Sequence, residues 1–196
     1  MLPRHQIPNA VTIGRILLIP PIVVLLAREH YLVAVVLLAI AGLSDALDGW
    51  LVRRYGWHTR LGAWLDPAAD KLLMLGVYVA ATLSGLLPLW LLLLVVGRDV
   101  WLTVGSVLYR VFVGPMVIRP LLISKMNTFL QITLVLVAIV KVGLLALDPI
   151  WVQLLMIGVA FTTLASGLAY TVQWGLDAWR RLRDTNGADA SNRRTP

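Results

Sequence analysis

The chain has 196 residues, of which 59% are hydrophobic and 14% charged, with 17 Lys+Arg against 10 Asp+Glu and a formal net charge of +7. Soluble domains carry roughly a quarter charged residues, so this composition excludes a soluble fold and a disordered chain. The lack of cysteine excludes a disulfide scaffold, a thiol nucleophile and a cysteine-held metal. The length suits a single domain. The basic residues fall between apolar runs, a pattern of membrane topology and not of a nucleic-acid surface.

A membrane-spanning helix needs about 20 mostly apolar residues, and six runs meet that length. The first covers 11–27. It is longer than a signal-peptide core and lacks a small-residue cleavage site, so it is expected to belong to the fold. Pro20-Pro21 within it predict a kink or a break. The second covers 32–51 and is joined to the third, 61–84, by a short basic connection. Gly85-Leu86-Leu87-Pro88 marks a tight turn before the fourth, 89–111. The fifth covers 128–147, Asp148-Pro149 marks another turn, and the sixth covers 150–174.

The runs are continuous, not alternating, which excludes a barrel and leaves helices as the way to satisfy the backbone in lipid. The expectation is an all-α integral membrane bundle of six transmembrane helices over residues 1–183. A polar, disordered tail is expected over 184–196. Lys and Arg concentrate at one set of helix ends (Arg4; Arg53, Arg54, Arg60; Arg110, Arg119, Lys125; Arg180, Arg181, Arg183). That bias predicts a multi-pass protein with both termini cytoplasmic. No Arg/Ser-rich transit segment precedes the first span, so the expected location is a bacterial plasma (inner) membrane.

Acids are scarce, and four of the ten fall between Asp45 and Asp70. Asp45 and Asp48 are three apart at the end of the second span; Asp66 and Asp70 are four apart at the start of the third. Both spacings place side chains on one helix face. The short connection makes the two helices antiparallel neighbours, so the pairs can meet at similar depth near the cytoplasmic interface. Converging carboxylates repel and need positive charge. Arg53, Arg60 and Lys71 are near in sequence, but an all-oxygen cluster suits hard divalent cations, Mg²⁺ or Mn²⁺, held jointly with substrate phosphates. Two such ions would polarise a phosphoryl group and stabilise a leaving phosphate. Structural pairing of the acids and a cation or proton pathway are the alternatives.

The run Asp45-Ala46-Leu47-Asp48-Gly49-Trp50-Leu51-Val52-Arg53, followed by Gly62, Asp66 and Asp70, resembles the signature of the CDP-alcohol phosphatidyltransferases, D-x2-D-G-x2-A-R-x8-G-x3-D-x3-D. Val52 stands where that signature has alanine, which adds two methyl groups near the expected nucleotide pocket. The six-span layout is similar as well, so the resemblance extends over nearly the whole chain. It implies attack of an alcohol on the phosphate of CDP-diacylglycerol that carries the diacylglycerol, with CMP leaving. It implies metal ligation by Asp45, Asp48 and Asp66. Asp70 would be the catalytic base, also close to a metal. Gly49 and Gly62 would make room for the nucleotide, and Arg53 would lie near its phosphates.

Ile7-Pro8-Asn9-Ala10-Val11-Thr12-Ile13-Gly14-Arg15 resembles the start of the first helix in the phosphatidylglycerophosphate synthase and cardiolipin synthase branches of that family. Asn9 and Thr12, one turn apart, are candidate nucleotide contacts; Asn9 equally suits a helix cap. Arg15 lies one turn deeper, where a charge is expected to pair with an acid or bind phosphate. Gly97-Arg98-Asp99 lies inside the fourth span. Neighbouring residues point apart on a helix, so Arg98 is expected to find a substrate phosphate or a partner on another helix. Ser124-Lys125-Met126-Asn127-Thr128, followed by Gln131, resembles the CMP-forming cardiolipin synthases. Arg98, Arg119 and Lys125 would recognise the acceptor's phosphate. The acceptor implied is phosphatidylglycerol, with glycerol 3-phosphate as the alternative.

The remaining polar and aromatic residues read as structure. Trp57, Trp64, Trp90, Trp151, Trp174 and Trp179 suit an aromatic belt. His5, His30 and His58 are scattered and form no ligand set. Gly158, Ser166 and Gly167 suit close helix packing, and members of the resembled family are often homodimers. The expected partners are therefore membrane lipid, CDP-diacylglycerol, an alcohol and a second copy, with no nucleic acid. A small cation or proton transporter is the reading from a different class. The acids gather at one surface, whereas transport sites tend toward the midplane.

Overall fold

A computed structural model describes residues 7–55, 62–114, 121–143 and 147–192. Among them are six α-helices and no strand: α1 (Ile7–Ala27), α2 (Tyr31–Tyr55), α3 (Gly62–Leu83), α4 (Leu89–Phe112), α5 (Leu122–Gly143) and α6 (Pro149–Asn192). By length and composition Leu89–Phe112, Leu122–Gly143 and Pro149–Arg181 are each able to cross a membrane, and Val11–Ala27 and Tyr31–Leu47 are shorter apolar helices. Large apolar side chains remain exposed along every helix, among them Leu17, Leu43, Leu72, Val107, Phe129 and Leu168. Water penalises such a surface and lipid does not.

Several boundaries differ from those expected of hydropathy. α1 runs unbroken through Pro20 and Pro21, both of which lie on its exposed side; a proline is tolerated in a lipid-facing helix where neighbouring groups re-satisfy the freed carbonyls. α5 begins at Leu122, six residues before the expected start, so Ser124, Lys125 and Asn127 are helical residues and not a lead-in. α6 extends to Asn192, into the polar segment set apart above as a tail; residues 193–196 lie outside the described part.

The turns follow from local chemistry. Gly85 takes φ 70°, and Leu86 and Gly85 donate to the Ala81 and Thr82 carbonyls, a Schellman stop that glycine adopts without strain. Glu29 takes the same role after α1 at φ 61°, with His30 donating to Leu25. Asp148 caps α6 by accepting the Ile150 N–H at 2.8 Å, with Pro149 in the first helical position.

The chain forms two compact units, one comprising residues 1–92 and 131–156, the other 93–130 and 157–196. In the first, α1 packs on both α2 and α3. It runs parallel to α3. Thr12 meets Asp66 near one end, Ile19 and Val23 face Gly76 in the middle, and the Leu26 carbonyl accepts from Ser84 at the other. Tyr78, almost fully buried, donates to the Gln131 carbonyl and ties α3 to α5.

In the second unit α4 and α6 run parallel, in register through Arg98–Ser166, Trp101–Thr171, Gly105–Trp174 and Tyr109–Asp177. α5 crosses them antiparallel: Ser124 accepts from Arg98, Asn127 accepts from Thr162 and Thr163, and Leu130 faces Gly158.

Candidate functional site

At one end of the first unit α1, α2 and α3 bring charged residues together. Arg15 of α1 is 1% exposed. Its Nη1 lies 2.7 Å from Asp45 Oδ1 of α2 and 2.8 Å from Asp70 Oδ1 of α3. One turn earlier, Thr12, fully buried, donates its hydroxyl to Asp66 Oδ1 at 2.5 Å. The acids are the open part of this arrangement: the side chains of Asp45 and Asp70 are 49% and 53% exposed. α1 therefore supplies a buried polar floor, and α2 and α3 supply carboxylates that stay half exposed.

The geometry follows from residue spacing. Thr12 and Arg15 are three apart and share a face of α1. Asp66 and Asp70 are four apart on α3, and each reaches one member of that pair. A guanidinium buried without an anion costs several kcal/mol; here two carboxylates share one of its nitrogens. Conversely, two carboxylates that approach one point repel, and the cation between them relieves this.

Of the residues expected at a site, Thr12, Asp45, Asp66 and Asp70 are brought together in this way. Gly49 follows one turn after Asp45 on α2. Arg119 lies outside the described residues, as do the side chains of Asn9, Asp48 and Arg53 and the surroundings of Gly62, whose backbone opens α3. Arg15 was expected to bind an acid or a phosphate, and it binds two acids. The signal was a charge inside an apolar run.

Arg98 and Lys125 belong to the second unit. Lys125 is exposed on α5. Arg98 has all three nitrogens engaged: Nε donates to Ser166 Oγ at 3.1 Å, Nη2 to Ser124 Oγ at 2.8 Å, and Nη1 to Asp99 Oδ1 at 2.8 Å. The first two bonds reach other helices, as expected of Arg98; the third joins it to Asp99 as well, a pairing that the spacing did not require. Their Cβ atoms diverge, but the long arginine side chain bends back to its neighbour. Sequence reasoning also missed the cluster around Asn127, fully buried, whose Oδ1 accepts from Thr162 at 2.8 Å and Thr163 at 2.9 Å. The polar run 124–128 was its only trace.

The donor set of the first unit, carboxylate oxygens alone, suits a hard divalent ion. Among the described residues no group of three or more His, Asp or Glu is placed to hold a metal ion. Arg15 holds the position between Asp45 and Asp70.

The profile of the CDP-alcohol phosphatidyltransferases matches residues 5–165 of this chain. The chain belongs to the CDP-alcohol phosphatidyltransferase family. It is similar to the human and rat proteins named cardiolipin synthase (CMP-forming), at 35% identity over 180 residues in each case, covering 84% of this chain and 60% of the relative. It is 36% identical over 187 residues to the rice chloroplastic CDP-diacylglycerol–glycerol-3-phosphate 3-phosphatidyltransferase 1, covering 86% of this chain and 57% of that protein. The chain thus spans about six-tenths of the length of these relatives.

CDP-alcohol phosphatidyltransferases take CDP-alcohol substrates and lipid acceptors and generally use divalent metal ions. Membership fits the apolar helices of an integral membrane protein. In this CDP-alcohol phosphatidyltransferase the three signature acids whose side chains are described, Asp45, Asp66 and Asp70, are the ones that meet Thr12 and Arg15.

Proposed function

We propose that the protein transfers a phosphatidyl group from CDP-diacylglycerol to the hydroxyl of phosphatidylglycerol, forming cardiolipin and releasing CMP. The observation that carries this reading is the convergence of Asp45, Asp66 and Asp70 on Thr12 and Arg15 at one end of three helices, in a chain whose relatives include proteins named cardiolipin synthase (CMP-forming). The rice relative's name supports glycerol 3-phosphate as the second candidate acceptor.

In this reading Asp70 takes the proton of the acceptor hydroxyl onto its carboxylate. The acceptor oxygen forms a bond to the phosphorus that carries diacylglycerol, the bond from that phosphorus to the CMP oxygen breaks, and the proton passes to water. Asp45, Asp66 and Asp70, with Asp48 from its place in the signature, would hold Mg²⁺ or Mn²⁺. Such ions, when bound, offset the diphosphate charge and make CMP a better leaving group. Thr12 fixes the Asp66 carboxylate by its hydrogen bond, and Arg15 fixes Asp45 and Asp70. The half-exposed acids keep the reacting phosphates within reach of water-soluble ions while the acyl chains stay in lipid. The Lys/Arg bias supports a cytoplasmic opening and cytoplasmic termini. Arg53, Arg98, Arg119 and Lys125 remain candidates for phosphate recognition, and Asn9, Gly49 and Gly62 for the nucleotide.

The test offers the purified protein CDP-diacylglycerol and Mn²⁺ with either phosphatidylglycerol or glycerol 3-phosphate, and identifies the lipid product by mass spectrometry. Cardiolipin with stoichiometric CMP is expected. Phosphatidylglycerophosphate would shift the acceptor to glycerol 3-phosphate. Consumption of neither alcohol would refute both assignments.

A further inference from the structure

Arg15 is an unusual member of the site. It is 1% exposed, it belongs to α1 and not to the helices that carry the acids, and its Nη1 is shared by Asp45 and Asp70. Its guanidinium brings a positive charge into the cluster from a helix that carries no acid. It stands where a cation is needed, between two carboxylates that otherwise repel. Yet the carboxylates it holds are half exposed, so their open side remains accessible to a second cation.

We propose that Arg15 is a positioning residue that serves the acid cluster as a resident cation. It holds Asp45 and Asp70 together before any metal arrives, and its fixed charge keeps the bare cluster's affinity for divalent ions low. This inference rests on the reading of these acids as the metal-holding set. A free site made of acids alone would bind divalent ions tightly and require them to assemble. A site already part-neutralised binds them weakly until further negative charge, that of a diphosphate, is present. The ion then enters together with the substrate it acts upon.

The test compares the full-length protein in detergent with its Arg15→Gln and Arg15→Lys variants. Glutamine keeps polarity and removes the charge; lysine keeps the charge. The readouts are thermal melting in EDTA or in saturating Mn²⁺, and Mn²⁺ affinity by electron paramagnetic resonance without substrate. The expected result is that Arg15→Gln melts well below the parent in EDTA, recovers most of the difference in Mn²⁺, and binds Mn²⁺ at least about tenfold more tightly, as removal of a like charge a few ångströms away requires. Arg15→Lys should stay near the parent in EDTA.

A residue that merely packs would show a loss indifferent to the ion. Equal destabilisation of Arg15→Gln with and without Mn²⁺, including a variant recovered in neither, overturns the proposal, as does unchanged or weaker Mn²⁺ binding. CMP release by the parent is scored separately. Its absence with the Mn²⁺ pattern intact refutes only the proposed reaction; its presence with an ion-indifferent loss refutes only the role of Arg15.

Discussion

Replacing Asp70 by asparagine separates chemistry from assembly. Asparagine is nearly the same size and keeps an oxygen able to accept from Arg15, so the 2.8 Å contact survives as a weaker bond. A hydrogen bond between charged groups exceeds a neutral one by about 1 kcal/mol, and the half-exposed position of Asp70 reduces that further through solvent screening. The folded state should therefore lose less than about 1 kcal/mol. Loss of a catalytic base costs about 10²–10⁴ in rate, equivalent to about 3–5 kcal/mol in barrier. The two effects differ enough to be told apart. CMP release at saturating CDP-diacylglycerol should fall by at least about a hundredfold, while the melting temperature moves by a few degrees and nucleotide binding changes much less than turnover. A rate loss below tenfold, or one that tracks unfolding, would refute the assignment of Asp70 as base.

Four further substitutions test the packing and hydrogen bonds of the two units. Thr12→Val preserves shape but removes the hydroxyl that Asp66 accepts from; water replaces part of that bond, so a loss of about 1 kcal/mol with a raised KM for CDP-diacylglycerol is expected, and a variant indistinguishable from the parent in both would contradict it. At Gly143 a new Cβ would collide with Tyr31 Cβ and stand 3.1 Å from its Cγ. Tyr31 Cβ is bound to the α2 backbone and cannot swing away, so Gly143→Ala should destabilise by about 1–3 kcal/mol. At Gly105 the obstacle is the outer edge of the Trp174 ring, which can slide, so Gly105→Ala should cost less than Gly143→Ala; melting curves in detergent that reverse this order would be decisive against both. Arg98→Lys keeps the charge but offers one nitrogen where three are used, and a drop in melting temperature corresponding to about 1–2 kcal/mol is expected; no change would show that the network around Arg98 carries little of the stability.

Helix number and order were legible because lipid demands long apolar runs and gives little room for other structure. The ends were less legible. Hydropathy placed the start of α5 at residue 128 because Ser124, Lys125 and Asn127 are polar, yet Ser124 and Asn127 find partners on α4 and α6. A polar residue satisfied inside the protein looks, in sequence, like one that belongs to water. The same blindness hid the Arg98–Asp99 bond, since spacing rules describe where Cβ atoms point and not how far an arginine bends. Of the kink or break that Pro20 and Pro21 predicted, the break is absent from α1, since proline penalties learned from water weaken where packing re-satisfies the backbone. The acids of the site were plain, because scarce charges at helical spacing in an apolar chain are informative. Which of them meet which partner was not, because that depends on the register of α1 against α2 and α3.

That register explains why two arginines in apolar surroundings have different standing. Arg98 is 13% exposed and meets Asp99 and two hydroxyls; every nitrogen is engaged, two of them in bonds to other helices, so a substrate phosphate would have to displace bonds already made. Arg15 is more deeply buried, but the groups it holds are half exposed. Its bonds position carboxylates and leave them accessible. Removal of Arg98 should therefore act first on stability. Removal of Arg15 should act first on how the acids respond to ions, because the repulsion it suppresses reappears as soon as its charge is gone. A helix that contributes none of the acids thus controls their electrostatics, and a scan confined to the acid-bearing helices α2 and α3 would miss it.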